Sequence, residues 1–519
     1  MPDITVHDPR TGEILYTIDE PTDEQIAQAY DSARAAYSVL RAMPVRERLN
    51  EVRKLRLYLA AHKEEIARQI ARETGKSLVD ALMLEIFPAL DTIAYYEQNA
   101  ERILADQKVK TPIFQLGKKS RIFYEPLGPV LIISPWNYPF HLSFIPFICA
   151  FVAGNSVILK PSRFTPLQGL YESIVENSGF LKDGIQVVYA TRKSANKLID
   201  AKPAKIFFTG SVGAGRHVMA RAAEHLIPVE LELGGKDAMI VFDDVNIERT
   251  VNGALWGGMA NSGQTCTSIE RIYVQDRIHD RFVAALKEKA AKLRTLASVS
   301  EETEPGDLDM GCMTAEFQIE EIERQLEHAV QAGAHVVLGG AREPGSHVFP
   351  PTIVTDVDPA MPIIAEETFG PVVTITRFKT EDEAVEHANN SPLGLAGSVW
   401  SADLDRAVRV ARRVVTGNVS INGVLATQAN SGLPFGGIKE SGFGRYRGPF
   451  GLHAFSNIKS VVIDKQSGKN ELNWYPYSRE KYRLFCDLIN AAFTDKPLAL
   501  LRTAVAGLKL ELLARKRRL

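Results

Sequence analysis

The sequence predicts an α/β fold whose first large part is a doubly wound, Rossmann-like parallel sheet. Strand-like and helix-like segments alternate from residue 130 to residue 233, which is typical of a parallel sheet with helices on both faces. The stretch 126–159 contains no Asp, Glu, Lys or Arg, as expected of strands that are buried on both faces. A β-prone stretch at 108–124 stands outside this alternation and predicts a hairpin.

The uncharged stretch is long enough to imitate a membrane span, but its residues argue against one. Pro135, Pro139, Pro146 and the pair Gly154-Asn155 would break a spanning helix repeatedly. The pattern instead predicts a strand, a loop, a helix, a turn and a second strand.

Helices precede the sheet. Thr22 and Gln25 form a capping box, and an apolar stripe follows at helical spacing. A second helix is expected from about Val45 to Thr74, and a third from about Ser77 with a kink at Pro88. The stripe of the first helix consists of Ile26, Tyr30, Ala33, Tyr37 and Leu40.

The strands of the alternating part are expected to end at one edge, where parallel sheets bind their ligands. The predicted strands are 130–133, 157–160, 185–189, 205–208 and 228–233, and the predicted helices include 140–153 and 165–179. The residues that directly follow each strand are therefore the candidates for a binding site.

Composition excludes several classes of protein. A chain of 519 residues with a net charge of -2 and both signs spread along it has no extended footprint for nucleic acid. Cys149, Cys266, Cys312 and Cys486 lie far apart and lack the spacing of a zinc site or a disulfide framework. We expect no bound metal, and a reducing cytoplasm fits best. The N-terminus shows no pattern of a signal peptide.

One cysteine lies among small and polar residues, in the stretch 261–267. A nucleophilic thiol must be ionisable and closely approached, which Gly263 and the hydroxyl residues Thr265 and Thr267 permit around Cys266. An unreactive loop cysteine is the alternative, and the heptapeptide alone does not decide between them.

Three further segments follow predicted strands. The glycine-rich turn 210–216 leads into a helix, where backbone N–H groups can bind phosphate. Many such turns, however, only reverse the direction of the chain and bind no ligand. Lys160-Pro161-Ser162-Arg163 could hold ribose hydroxyls or a phosphate, or be a solvated turn. Glu232 lies on the same strand face as Glu230 and is left accessible by two glycines, or is an ordinary edge-strand carboxylate.

Together these segments resemble the aldehyde dehydrogenase superfamily over about Ile4 to Lys459. The motifs that carry the resemblance are Pro135-Trp136-Asn137-Tyr138-Pro139, Lys160-Pro161-Ser162, Phe208-Thr209-Gly210-Ser211, Glu232-Leu233-Gly234-Gly235-Lys236, Gly263-Gln264-Thr265-Cys266, Glu366-Glu367-Thr368-Phe369-Gly370-Pro371 and Pro434-Phe435-Gly436-Gly437-Ile438-Lys439. The tail at 474–478 and the compact stretch after Val188 are closer to the class 3 and fatty aldehyde branch.

The resemblance implies a division of the chain. It comprises an NAD(P)-binding domain at 1–107 and 125–236, a catalytic domain at 237–429, and an oligomerisation arm at 108–124 and 455–464. Arms of this kind imply a homodimer or homotetramer. Residues 465–519 form a C-terminal extension.

The resemblance also implies roles for individual residues. Cys266 would attack the aldehyde, Asn137 and the Cys266 backbone N–H would bind the oxyanion, Glu232 would activate water, and Lys160 would belong to the catalytic set. The residues expected to bind NAD or NADP are Ile133, Ser134, Pro135, Trp136, Lys160, Ser162, Arg163, Gly210, Ser211, Gly215, Leu233, Gly234, Glu367 and Phe369.

Two departures from the family bear on specificity. Arg163 stands where many NAD-preferring members carry a glutamate, so we expect NADP to be used. The expected substrate tunnel carries no arginine, which favours a neutral aliphatic or aromatic aldehyde over a semialdehyde. The tunnel residues are Tyr138, His141, Leu142, Ile145, Thr265 and Thr267. A coenzyme A-acylating enzyme and a non-catalytic protein on the same fold are the alternatives.

The C-terminal extension ends in a predicted basic amphipathic helix. Its apolar stripe is Leu501, Val505, Leu508 and Leu512, and Arg515-Lys516-Arg517-Arg518 close the chain. Such a helix lies on an anionic membrane surface or packs against the enzyme or a partner subunit. The expected location is cytoplasmic, with possible membrane association.

Overall fold

The structure is a computed structural model that describes residues 4–112, 115, 117–296, 306–465, 471–493 and 499–516. The chain divides into two compact units. Unit 1 contains Met1–Leu104 and Glu125–Asn457, and unit 2 contains Ala105–Tyr124 and Ile458–Leu519. Both predicted large domains lie in unit 1, and the boundary between them at residue 236 stays a prediction.

The first part of the chain is largely helical. Its elements up to residue 126 are β1 (Ile4–His7), β2 (Ile14–Ile18), α1 (Asp23–Ala42), α2 (Val45–Ala61), α3 (Lys63–Thr74), α4 (Leu78–Asp80), a π-helix (Ala81–Ile86), α5 (Phe87–Ile103), β3 (Gln107–Val109) and β4 (Lys119–Pro126). The capping box of Thr22 and Gln25 is confirmed, because each side chain accepts a hydrogen bond from the other's backbone.

One prediction about these helices is wrong. The helix expected from Val45 to Thr74 is two helices, which separate at His62. Pro88 lies in the first turn of α5, directly after a π-helix, and the kink expected at this residue stays a prediction. The irregularity comes before it, in the π-helix, which accommodates more residues per turn than an α-helix.

The predicted parallel sheet is confirmed. Its elements are β5 (Val130–Ile133), α6 (His141–Val152), β6 (Val157–Lys160), α7 (Leu170–Ser178), β7 (Ile185–Val187), α8 (Arg192–Asp200), β8 (Lys205–Thr209), α9 (Val212–Ala223) and β9 (Val229–Glu232). The strand order is β9-β8-β5-β6-β7, all parallel, and α7 begins five residues later than predicted from position 165.

A second sheet follows in the chain. Its part of unit 1 contains β10 (Asp237–Val241), α10 (Ile247–Met259), β11 (Ile269–Gln275), α11 (His279–Ala290), α12 (Glu316–Gln331), β12 (His335–Leu338), β13 (Thr352–Thr355), α13 (Pro362–Ala365), β14 (Val372–Phe378), α14 (Glu381–Asn389), β15 (Leu393–Gly394), β16 (Gly397–Trp400), α15 (Leu404–Ala411), β17 (Ser420–Ile421), β18 (Ile438–Lys439), β19 (Gly442–Phe443) and α16 (Gly448–Ala454). The order is β12-β13-β14-β11-β10-β16-β17, parallel except for β12, while β19 pairs antiparallel with β9 of the first sheet.

Apolar side chains pack helices against the faces of both sheets. One cluster packs α1, α8 and α9 against the first sheet, and others pack α10 and α11 on one face and α14 and α15 on the other face of the second sheet. Burial of both faces explains why the strands are nearly continuous apolar runs. It leaves the strand ends as the places where polar side chains reach a cavity.

Unit 2 contains the predicted hairpin. β3 and β4 pair antiparallel and form a three-stranded sheet with β20 (Ser456–Ile463), in the order β20-β4-β3. Residues 113, 114 and 116 of the hairpin lie outside the described residues. Its role in oligomerisation stays a prediction.

The C-terminal extension forms two helices, α17 (Arg479–Ala492) and α18 (Ala499–Lys516). The predicted apolar stripe of α18 faces solvent, with Leu501 and Leu508 about three-fifths exposed, at 60% and 58%. Its opposite face, with Thr503, Ala506 and Leu510, is buried. Residues 517–519, and with them part of the basic end, lie outside the described residues. Among the described helices, none combines the length and apolarity that crossing a bilayer requires.

Candidate active site

A cleft of about 370 Å³ lies at the carboxyl ends of β5, β6, β8 and β9. It brings together Asn137, Lys160, Glu232 and Cys266, the four residues assigned to catalysis by resemblance. All the predicted cofactor residues except Gly215 line the same cleft. Gly215 instead permits close packing of α9 on the sheet, because a Cβ there would lie 2.5 Å from Leu233 Cδ2.

The loop that carries the cysteine has an unusual backbone. Asn261, Ser262 and Gly263 follow α10 with φ angles of 54°, 55° and 70°, three consecutive residues in the left-handed region. Such strain persists where surrounding contacts enforce it. The Asn261 N–H donates to Asp80 Oδ2 at 3.1 Å, and a Cβ on Gly263 would lie 2.0 Å from the Gly370 carbonyl oxygen. The turn is thus fixed from two directions before Cys266.

Cys266 is only partly exposed, at the wall of the cleft. Burial raises the pKa of its thiol, and Glu367, Asp237 and Glu232 raise it further. The free enzyme therefore holds a neutral thiol at neutral pH, and a proton has to leave before the sulfur can attack as a thiolate.

The side-chain amide of Asn137 is held next to the cysteine loop. Its Nδ2 donates to the Gln264 carbonyl oxygen at 2.8 Å. A primary amide has two N–H groups, so a second donor remains available for an oxygen atom in the cleft. Gln264 is itself fixed, because its Oε1 accepts from the Thr314 N–H at 2.8 Å.

Glu232 is the last residue of β9 and is buried. Among the described residues, neither of its carboxylate oxygens has a hydrogen-bond partner. Burial raises its pKa well above the usual value and Glu230 raises it further, whereas Arg445 and Arg447 lower it. A buried carboxyl without partners is costly to ionise, which is a common property of a general acid or base.

The other end of the cleft suits a phosphorylated dinucleotide. Ser211 caps α9, its Oγ accepting from the Ala214 N–H at 3.3 Å, so a helix N-terminus opens onto the cleft beside Gly210. Arg163 and Arg192 also line this end, and within the described ranges neither pairs with a carboxylate. Unpaired guanidinium groups and a helix N-terminus are the donors that phosphate groups bind.

Lys160 ends β6 in the same part of the cleft. Burial lowers its pKa to about 8, and Arg163 lowers it as well, while Glu20 acts in the opposite direction. Ser162 lies beside it, and its Oγ accepts from the Phe164 N–H at 3.2 Å. The ammonium of Lys160 is thus poised to lose its charge near neutral pH.

Glu367 and Phe369 enter the cleft on a loop from the second sheet. Glu367 accepts from the Gly235 N–H at 3.0 Å, and burial raises its pKa to about 8. Phe369, with a φ of 52°, lies edge-on to Trp136 at a centroid distance of 5.4 Å. The loop is anchored by the buried carboxylate of Glu270, which accepts from the N–H groups of Thr368 and Phe369 at 2.9 and 3.0 Å.

A buried lysine compensates that carboxylate. Lys236 Nζ lies 2.5 Å from Glu270 Oε2 and 2.8 Å from Thr368 Oγ1, with both charged side chains almost fully buried. Neither residue of this pair was singled out from the sequence for this role.

Of the predicted tunnel residues, only Leu142 lines this cleft. Ile145 is fully buried, and the Tyr138 hydroxyl bonds to Thr265 Oγ1 at 2.6 Å. Gln428 Nε2 donates to Thr267 Oγ1. Most of the predicted tunnel residues therefore pack against other side chains outside this cleft. That they line a substrate tunnel stays a prediction.

An arginine lies beside the tunnel residues, although none occurs among them in sequence. Arg447, which is 2% exposed, contacts His141 Nε2 and the Gln428 carbonyl oxygen. Burial lowers the pKa of His141 to about 3, and Arg447 lowers it further, so the imidazole is neutral. Arg447 was missed because it comes from a segment more than 300 residues along the chain.

Several residues that line the cleft lie outside the motifs identified in the sequence. They are Phe164, Arg192, Ala195, Asn196, Ile199, His217, Val218, Phe317 and Gln318. Arg192 could have been found, because it lies in the segment after β7, as Ser162 and Arg163 lie in the segment after β6. Phe317 belongs to α12 of the second sheet, and nothing in its local sequence points to the cleft.

The chain matches a family model described as the aldehyde dehydrogenase family over residues 2–461. It is 40% identical over 488 residues to a 4,4'-diapolycopene aldehyde oxidase of Methylomonas sp, covering 93% of this chain and 90% of that protein. It is 33% identical over 465 residues to the succinate-semialdehyde dehydrogenase (NADP(+)) GabD of Escherichia coli, covering 89% and 94%.

Solved structures agree with the fold. A betaine aldehyde dehydrogenase of Staphylococcus aureus in complex with NAD+ superposes with a TM-score of 0.84 at 31% identity, covering 91% of this chain and 93% of that one. An Escherichia coli NADP dependent enzyme gives a TM-score of 0.84 at 31% identity, covering 89% and 94%.

Binding of NADP+ is expected to weaken severalfold as the pH rises from about 7 to about 9. Over this interval Lys160 loses its positive charge and Glu367 gains a negative charge, because both pKa values are about 8. Both changes disfavour a phosphorylated ligand. Calorimetric titration measures the Kd at each pH, and Lys160→Met should reduce the dependence. A Kd independent of pH would contradict these charges.

Proposed function

The chain belongs to the aldehyde dehydrogenase family, and we propose that it oxidises a neutral aldehyde to the carboxylic acid through a covalent intermediate on Cys266. As a member it is an oxidoreductase that acts on aldehydes with NAD or NADP. The observation that carries the mechanism is the shared cleft, which is lined by Cys266, Asn137 and Glu232 together with residues expected to bind the dinucleotide.

The thiol of Cys266 gives its proton to water, and its sulfur attacks the aldehyde carbon, so that a C–S bond forms as the C=O π bond opens. The carbonyl oxygen becomes an oxyanion, which accepts from the free amide N–H of Asn137 and from the Cys266 backbone N–H. Each such donor contributes ~3 kcal/mol in comparable sites. The nicotinamide dinucleotide, when bound, supplies the hydride acceptor.

Hydrolysis of the resulting thioester requires a base. Glu232 takes the proton of a water molecule as its oxygen attacks the thioester carbon, and the C–S bond breaks to release the acid. A raised pKa makes the ionised carboxylate of Glu232 a stronger base, and Arg445 and Arg447 favour that ionised form. Glu232 also argues against transfer to coenzyme A, because acylating relatives generally lack it.

The substrate class is inferred from the residues near the thiol. Tyr138, Leu142 and Ile145 carry no charge, and the two terminal nitrogens of Arg447 bond to the Gln428 carbonyl oxygen and to His141. Its Nε is buried without a hydrogen-bond partner among the described residues. The relatives include enzymes named for semialdehydes and one named for 4,4'-diapolycopene aldehyde, and they do not single out the class 3 branch. We infer a neutral aliphatic or aromatic aldehyde.

The mechanism predicts different defects for the two catalytic side chains. Cys266→Ser should abolish oxidation of hexanal, because the weaker nucleophile forms no thioester. Glu232→Gln should retain a burst of reduced dinucleotide of about one per active site, followed by a steady rate reduced by at least about a hundredfold. Stopped-flow absorbance at the reduced nicotinamide band measures both phases.

The same assay tests the substrate class. Wild-type enzyme is expected to show a higher kcat/KM for hexanal than for succinate semialdehyde. A marked preference for the semialdehyde would overturn the neutral class without affecting the cysteine mechanism. Formation of acyl-CoA in place of free acid would favour the acylating alternative. Full activity of Cys266→Ser would refute the covalent mechanism.

The choice between dinucleotides depends on the 2′-phosphate. Arg163 and Arg192 provide two unpaired guanidinium groups at the same end of the cleft as Lys160 and Ser162. A 2′-phosphate would give them a partner, which the ribose hydroxyls of NAD do not. We infer that NADP is used and preferred.

Reversal of charge at Arg163 should therefore change the preference. Arg163→Glu is expected to lower kcat/KM for NADP+ by at least about tenfold, through loss of a charge-assisted bond and repulsion of the phosphate. Arg53→Glu, the same change at an exposed arginine of α2, is the matched control and should leave kcat/KM for NADP+ unchanged. A wild-type preference for NAD+ of tenfold or more would contradict the assignment.

The exposed stripe of α18 supports contact with an anionic lipid surface. Leu501, Val505, Leu508 and Leu512 face solvent, with Arg502 and Lys509 exposed beside them. Apolar side chains flanked by basic ones are the composition of helices that lie in a membrane interface. The predicted homodimer or homotetramer stays a prediction, and packing of this face on a partner subunit is the alternative.

Sedimentation with vesicles distinguishes membrane binding by α18 from packing of α18 on a partner subunit. The full chain should sediment with phosphatidylcholine vesicles that contain phosphatidylglycerol, and less with phosphatidylcholine alone. Leu508→Glu should abolish sedimentation, whereas Ala504→Glu, which places the same charge beside the stripe, should weaken it less. An absence of sedimentation, with a smaller oligomer for Leu508→Glu, would support subunit packing instead.

A further inference from the structure

We propose that the buried Lys76–Glu85 ion pair positions the oxyanion-binding amide of Asn137. The inference rests on the proposed function, because it gives these two residues a part in the same reaction. Neither residue lines the cleft, so both act through the backbone that carries Asn137.

Lys76 reaches the backbone of the oxyanion residue directly. Its Nζ donates to the Asn137 carbonyl oxygen at 2.8 Å and lies 2.5 Å from Glu85 Oε1. The ammonium also lies 4.3 Å from the centre of the Tyr138 ring, within the range of a cation–π contact. Both side chains of the pair are 0% exposed.

Glu85 holds the other end of the same segment. Its Oε2 accepts from the N–H groups of Phe140 and His141, each at 2.9 Å. These N–H groups belong to the first turn of α6, which has no capping side chain of its own. A carboxylate at a helix N-terminus satisfies free donors and interacts favourably with the helix dipole.

The segment from Asn137 to His141 is therefore fixed at both ends by one ion pair. Rotation of the Asn137 peptide would break the bond to Lys76, and a shift of α6 would break the bonds to Glu85. Because the amide of Asn137 can bind an oxyanion only within a few tenths of an ångström of its proper place, this restraint matters for the reaction.

The π-helix brings Glu85 to this position. Glu85 is its fifth residue, and the preceding carbonyl, of Leu84, accepts from His141 Nδ1 at 2.7 Å. The wider turn adds a residue between Lys76 and the start of α5, and π-helices of one turn occur frequently at functional sites. The π-helix and the ion pair therefore act together to hold the segment that carries Asn137.

The carbonyl oxygen of Asn137, which accepts from Lys76, also connects Asn137 to the cysteine loop. Asn261 Nδ2 donates to the Asn137 carbonyl oxygen at 3.2 Å and to the Gln264 carbonyl oxygen at 3.1 Å. Asn137 Nδ2 donates to that Gln264 oxygen as well. Lys76 thus secures a network that holds the side-chain oxyanion donor and the backbone before Cys266 in one register.

A stabilising role alone does not explain a fully buried ion pair. Removing two charges from water costs about as much as their attraction returns, and an apolar pair of similar volume is often at least as stable. The pair's hydrogen bonds to Asn137, Phe140 and His141 fix the segment that carries Asn137, which indicates a gain in position instead.

The test separates oxyanion binding from access to the thiol. Acylation of Cys266 by p-nitrophenyl acetate forms an oxyanion, whereas alkylation by iodoacetamide does not. The double variant Lys76→Met/Glu85→Gln removes both charges and leaves none uncompensated. It should lower the acylation rate constant by about tenfold to a hundredfold. The alkylation rate and the Kd for NADP+ should stay within about twofold of wild type.

Lys76→Arg and Lys205→Met serve as comparisons. Lys76→Arg keeps the charge and should recover part of the acylation rate, whereas Lys76→Met removes it and replaces the double variant if that variant does not fold. Lys205 is a buried lysine paired with Glu230 at 2.6 Å, away from the segment of Asn137. Its replacement by methionine should reduce stability without a selective loss of acylation.

Two results would overturn the positioning role. One is acylation at the wild-type rate in the double variant, or in Lys76→Met alone if the double variant is unfolded. The other is an equal loss of acylation and alkylation, which indicates a general structural defect. Failure of wild-type enzyme to oxidise any aldehyde would instead refute the proposed function, so the two failures are distinct.

Discussion

A buried carboxylate that accepts two consecutive backbone N–H groups, neutralised by a buried lysine, is the interaction on which this site depends. Among the described residues of unit 1, it occurs twice. Glu85 with Lys76 fixes the segment that follows Asn137, and Glu270 with Lys236 fixes the loop that carries Glu367 and Phe369. In each case a charge-assisted bond fixes irregular backbone, which apolar packing cannot orient as closely because it has no direction. The two pairs thus secure the oxyanion end and the dinucleotide end of one cleft.

The same burial sets the electrostatics of the cleft. Glu232, Asp237 and Glu367 all have raised pKa values, mainly because water is excluded from them. The thiol of Cys266 is affected in the same direction. Burial therefore favours the neutral forms of these carboxyl groups and of the thiol. A nearby positive group favours the ionised form, as Arg445 and Arg447 do for Glu232.

Local sequence rules predicted the elements that depend on local interactions. The capping box at Thr22 fixed the start of α1, and the limits of β5 and β6 agree with the apolar runs 130–133 and 157–160. The break at His62 was not predictable, because no proline or glycine marks it. The π-helix before α5 was hidden for a similar reason, since its extra residue is stabilised by contacts of Glu85 with α6, which lies beyond it in the chain.

The sequence by itself determined the fold class, the family and the four catalytic candidates that meet in the cleft, because these are encoded in short motifs and in the period of apolar residues. Only the tertiary structure decided what holds those residues and which face of α18 is left exposed. It brought Lys76 to Asn137, Arg447 to His141 and Phe317 to the dinucleotide end of the cleft. These pairings depend on the direction of side chains from distant segments. Sequence spacing does not record such directions, since they are fixed only when the helices and sheets pack.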